Sequence, residues 1–61
     1  MNLTDEERVA LEFVRAEKAR GHFPSVRDVA RVIGAKSSRS GARVVNRLIE
    51  NGLIRREGGA Y

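Results

Sequence analysis

The 61-residue chain contains no cysteine, which excludes disulfide staples and thiolate metal sites. It has one histidine, and a lone imidazole without cysteines cannot build a conventional zinc site. There is no tryptophan, and the two phenylalanines and one tyrosine are too scattered to form a stacking platform for unpaired bases. Apolar runs reach only two or three residues, so nothing reads as a membrane span or a signal peptide. One proline, with 41% hydrophobic and 33% charged residues, suits a folded soluble domain and not a disordered segment. A chain this short holds one small core and no large buried catalytic cleft. These absences leave a small, cofactor-free globular module, expected in the cytoplasm and expected not to be an enzyme.

What is present is positive charge, unevenly placed. The net charge is +4. Residues 1–20 hold Arg8, Arg15, Lys18 and Arg20 against five acids, whereas residues 21–61 hold eight Lys/Arg against Asp28, Glu50 and Glu57. A basic second half on a near-neutral first half implies a polyanionic partner met by one side of the molecule. The alternative is that the charge serves solubility alone.

Thr4-Asp5-Glu6-Glu7 carries the Thr-x-x-Glu pattern of a capping box, followed by Val9, Ala10, Phe13 and Val14 at helical spacing. Gly21 supplies a stop, giving a first helix over residues 5–20. His22-Phe23-Pro24 is a connector, with His22 expected on the surface and Phe23 expected in packing. Ser25 and Asp28 form a second capping box, and Val26, Val29, Ala30 and Ile33 repeat at i, i+3, i+4, i+7 up to Gly34. This predicts a short second helix over residues 25–33. Ser37 or Ser38 caps a third helix over 38–51, with Ala42, Val45, Leu48 and Ile49 as its core face and Gly52 as its stop. On the opposite side Arg39, Arg43, Asn46, Arg47 and Glu50 fall together. Val44 lies at the border, either as core or as an apolar contact for a thymine methyl. Leu53-Ile54 suggests a strand and Gly58-Gly59 a turn, so residues 53–61 are expected to form a short or truncated β-hairpin wing.

Two helices joined by a tight turn at Gly34, the second with a basic outer face, make the helix-turn-helix layout, whose second helix enters the major groove of DNA. The fold class expected is mainly α (α+β), a three-helix winged helix-turn-helix in a single domain over 1–61. Arg39 and Arg43 lie about 6 Å apart along the axis by helical rise, and arginine can grip guanine bidentately or clamp phosphate. Ser37, Ser38 and Ser40, with Lys36 beside them, cluster at the helix start, where hydroxyls and free amides hold backbone phosphates. Asn46 shares the basic face. Arg47 reads as a phosphate contact or as a partner of Glu50 or Glu57 rather than a base reader. Arg55 and Arg56 are expected at phosphates or a minor groove. Arg27 and Arg31 on the second helix divide evenly between DNA backbone and solvent.

From Leu3 to Arg55 the chain resembles the winged helix-turn-helix DNA-binding domain of the LexA repressor family. The resemblance rests on Leu3-Thr4, the Gly21/Pro24 connector, Asp28-Val29-Ala30 leading to Ile33-Gly34, Lys36-Ser37 through Leu48, and Gly52-Leu53-Ile54. It implies duplex DNA binding in transcriptional repression, with base-reading positions at Ser37, Arg39, Ser40, Ala42 and Arg43. Where that family places asparagine and glutamates among these positions, this chain has arginines and small residues. The family's carboxy-terminal peptidase with its Ser/Lys pair is outside these residues, and Lys36 beside Ser37 is a solvated residue next to a cap.

The partner expected is therefore double-stranded DNA, with no membrane and a nucleoid-associated cytoplasmic location. A lone module would touch one half-site, so strong specificity implies a homodimer on a palindromic site or attachment to a further domain. The alternative function is a winged-helix protein–protein adaptor on a polymerase or larger regulator. Its apolar candidates are Val44, Leu11 and Val32.

Overall fold

The hydroxyl-plus-acid pairs and the glycines that punctuate the sequence define three helices in a computed structural model, which describes residues 3–56. Helix α1 spans Asp5–Ala19, α2 spans Val26–Val32 and α3 spans Ser38–Glu50. At the start of α1, the Thr4 hydroxyl accepts from the Glu7 amide at 3.1 Å while Glu7 Oε1 accepts from the Thr4 amide at 2.9 Å. Ser25 and Asp28 repeat the arrangement on α2 at 3.3 and 3.0 Å. Two of the orphan amides at each start are thereby satisfied.

All three helices end in the same way. A glycine with φ between 72° and 83° follows each last turn. Its amide, and that of the next residue, bond back to carbonyls of the final turn: Gly34 to Arg31 and Ala35 to Ala30, Gly52 to Ile49 and Leu53 to Leu48. This is the Schellman arrangement, which requires a left-handed residue that only glycine adopts without strain. At Gly34 it reverses the chain between α2 and α3 and so makes the turn of the helix-turn-helix.

The core lies where the three helices meet. Ala10, Leu11 and Val14 come from α1, Val29 and Ala30 from α2, and Val44, Val45 and Leu48 from α3. Leu3, Phe13, Val26, Ile33, Ile49, Leu53 and Ile54 pack around it, half-buried. Gly41 sits mid-helix against α2. A β-carbon there would lie 2.8 Å from the Ala30 Cβ and 2.8 Å from the Val26 carbonyl oxygen. No side chain fits, and the close crossing of α2 and α3 depends on that.

Several expectations need correction. The starts of α1 and α3 fall where expected, while the start of α2 and the three carboxy-terminal ends lie one residue further in, because Ser25, Arg20, Ile33 and Asn51 act as caps. Val9 is 42% exposed, since the buried stripe of α1 runs through Glu7, Ala10, Leu11 and Val14 and leaves Val9 on its flank. Phe23 is 55% exposed: in the extended connector Pro24 turns inward and its neighbour outward. On α3 the core face is Gly41, Val44, Val45 and Leu48, whereas Ala42 and Ile49 are half-buried. Val44 is thus core and offers nothing to a thymine methyl. The β-hairpin wing is not seen among the described residues. Leu53 and Ile54 pack against the core instead of entering a ladder, and the Leu53 amide is committed to the end of α3. Residues 57–61, including the Gly58-Gly59 turn and Tyr61, lie outside the described residues.

Candidate nucleic-acid interface

The buried residues of α3, Gly41, Val44, Val45 and Leu48, recur at i, i+3, i+4 and i+7. Everything at the opposite azimuth is therefore driven outward by the packing itself. Arg39, Arg43, Asn46, Arg47 and Glu50 are exposed there. Arg39 and Arg43 make no ion pair with any described residue, so their guanidinium groups remain open to an external acceptor. Ser40 and Ala42 flank this row, half-buried.

The start of α3 differs from the other two. Ser37 takes the extended N-cap conformation, but its side chain makes no capping bond. Of the two candidates Ser37 holds the cap position, and Ser38 is the first helical residue. Lys36, Ser37 and Ser38 are thus exposed at the same end of the helix as Arg39.

Arg47 differs from its neighbours. Its Nε lies 3.3 Å from Glu7 Oε2, with the arginine side chain 63% exposed and the glutamate side chain 9% exposed. Its partner is Glu7 rather than Glu50, and Glu57 lies outside the described residues. Glu7 had been legible only as a cap residue, because nothing in local spacing brings residue 7 to residue 47.

Arg55 and Arg56 are exposed beyond α3. The Lys18 ammonium reaches the Arg55 carbonyl at 3.5 Å, which ties this segment to the end of α1. Arg27 and Arg31 are exposed on α2. His22 sits at the surface, with Nδ1 3.1 Å from Glu17 Oε2. Ser25 holds the Asp28 carboxyl below the usual carboxylate range, first through its backbone amide and then through its hydroxyl; burial opposes this and Arg31 assists. Among the adaptor candidates Leu11 and Val44 are buried, at 8% exposure each, and only Val32 is exposed. Among the described residues no helix is long and apolar enough to cross a membrane.

The family model for the LexA DNA-binding domain matches residues 1–60. The chain belongs to the LexA DNA-binding domain family. A LexA repressor from Frankia alni is 41% identical over 56 residues, which are 90% of this chain and 22% of that protein. The chain therefore spans about a fifth of the length of that relative. No solved structure matches it. Membership makes this a DNA-binding, helix-turn-helix domain of a repressor family. The domain is a regulatory one, and the family's peptidase is not among the residues matched.

Proposed function

We propose that the chain is a sequence-selective, double-stranded DNA-binding module of a transcriptional repressor that inserts α3 in the major groove. The observation that carries this is the pair Arg39 and Arg43 on α3, without an ion-pair partner among the described residues and held outward by a buried opposite face. Arg39, Ser40 and Arg43 read base edges, and Asn46 borders them; the arginines suit guanine O6 and N7. Lys36, Ser37 and Ser38 hold a backbone phosphate at the uncapped helix start. Arg55 and Arg56 reach phosphate or the minor groove from the segment after α3, where the wing of the family lies. Glu50 would repel phosphate, so the carboxy-terminal end of α3 leaves the groove.

One copy covers a half-site, burying about 600–1,000 Å². Palindromic pairing of two copies, or a further domain, supplies the remaining specificity. The module works at the nucleoid, in the cytoplasm.

Selection of bound sites from a random duplex library tests this reading, followed by affinity against salt on the selected site. With about four to six phosphates neutralised, log affinity falls against log salt with a slope of roughly −4 to −5. Failure to enrich any sequence, together with a flat salt response, refutes it. A second reading, a protein–protein adaptor, is favoured by one observation: exposed Phe23 and Val32 border a hollow shared with Phe13. Pulldown of a protein partner without any duplex shift would select it.

A further inference from the structure

Glu7 does two things at once. Its Oε1 accepts the Thr4 amide at 2.9 Å, closing the cap of α1. Its Oε2 meets Arg47 Nε at 3.3 Å, across to α3. It is the one buried charged side chain among the described residues, at 7% exposure. The hollow above the pair is lined by Thr4, Glu6, Glu7, Arg43, Val44 and Arg47. The start of α1 thus lies directly beside the arginine row.

We infer that Glu7 masks the charge of Arg47 and withdraws this arginine from the phosphates, confining the cationic grip of α3 to its amino-terminal half. The inference rests on the DNA-binding reading above and sharpens it. Moving Arg47 to a phosphate would leave a buried carboxylate with one partner fewer, and stranding a buried charge is costly. A phosphate contact in water offers a weaker return. Arg47 therefore stays on Glu7, and the pair presents no net charge to the duplex. Arg39 and Arg43, which have no such acid among the described residues, keep theirs.

Glutamine at position 7 separates the two jobs. It has one carbonyl oxygen where glutamate has two, and glutamine serves as well at the third position of a capping box. The oxygen retains the Thr4 amide, while the amide nitrogen meets Arg47 donor against donor and releases it. Glu7→Gln should therefore steepen the salt slope of duplex binding by about 0.9, the value of one added phosphate contact. Between 1 M and 0.1 M salt this amounts to about eightfold tighter binding at the lower concentration. In Arg47→Ala the same Glu7→Gln change should leave the slope where it was, because no cation is released.

The measurement is fluorescence anisotropy of a labelled 20-base-pair duplex across salt, with helicity checked by circular dichroism. A steeper slope in Glu7→Gln that vanishes in the double variant supports the assignment. An unchanged or shallower slope, or an equal gain in both backgrounds, overturns it while leaving duplex binding intact. Should Glu7→Gln not fold, the Arg47 Nε–H signal of the unaltered chain decides by NMR: unmoved on duplex titration at low and high salt it supports masking, and shifting as Arg39 and Arg43 do it overturns it. If the unaltered chain binds no duplex, the function falls and this assignment with it.

Discussion

Replacing Gly41 by alanine tests the packing that aims α3. In an ordinary helix interior this change is favourable by about 1 kcal/mol, because alanine is the better helix former. Here the added methyl would sit 2.8 Å from the Val26 carbonyl oxygen, 2.8 Å from the Ala30 Cβ and 3.0 Å from the Ala30 amide nitrogen. Two of these are backbone atoms of α2, and the third is a methyl with no rotamer to change. The strain can be relieved only by moving the two helices apart, which loosens Val29, Val44, Val45 and Leu48 together. Overpacking with the backbone shift it forces costs about 1–3 kcal/mol, and three contacts at or under 3.0 Å, two of them to backbone, put this site at about 2–3 kcal/mol. The steric cost wins, leaving a net loss of about 1–2 kcal/mol. For a domain this small each kcal/mol moves Tm by roughly 4–8 °C. The Gly41→Ala variant should therefore melt about 5–15 °C lower when followed by circular dichroism at 222 nm. A Tm equal to or above that of the unaltered chain would refute the reasoning, since propensity alone would then govern the site.

Arg43→Ala should cost about 1–3 kcal/mol of affinity for the selected duplex and relax the preference at one base pair, as measured by competition with single-base variants. A uniform loss across all competitors would assign Arg43 to phosphate instead. Ser25→Ala should lower stability by about 1 kcal/mol at pH 7 through loss of the α2 cap. Asp28 has a carboxyl held below its usual range by Ser25, so its contribution is present above the unfolded pKa and is lost as pH falls below about 4. The gap between the unaltered chain and Ser25→Ala in urea unfolding should therefore narrow at pH 3, and an equal gap at both pH values contradicts it.

The helices were legible because their ends are written locally. Thr4 with Glu7 and Ser25 with Asp28 fix two starts, and Gly21, Gly34 and Gly52 fix three stops, each within five residues of chain. The outward face of α3 was legible for the same reason, being a matter of period. What local reading misses is anything settled between helices. Val9 and Phe23 are apolar and periodic or flanking, yet the helices meet along a line that leaves them out. Val44 was ambiguous until α1 and α2 showed which side of α3 they cover. Gly41 is an isolated glycine inside a helical pattern, which costs about 1 kcal/mol against alanine, but only the crossing of α2 and α3 shows why it is there. The Glu7–Arg47 pair carried no signal, since forty residues separate its members and each already had a local explanation.

The central claim is that the amino-terminal half of α3 is the surface that meets the double helix. Titrating isotope-labelled chain with its selected duplex, and following backbone amides and arginine Nε–H signals by NMR, tests it most directly. The account predicts the largest shifts at residues 36–43, with the Arg39 and Arg43 Nε–H signals moving and Phe23 and Val32 unaffected. Shifts centred on the hollow of Phe13, Phe23 and Val32, with Arg39 and Arg43 unmoved, would contradict it.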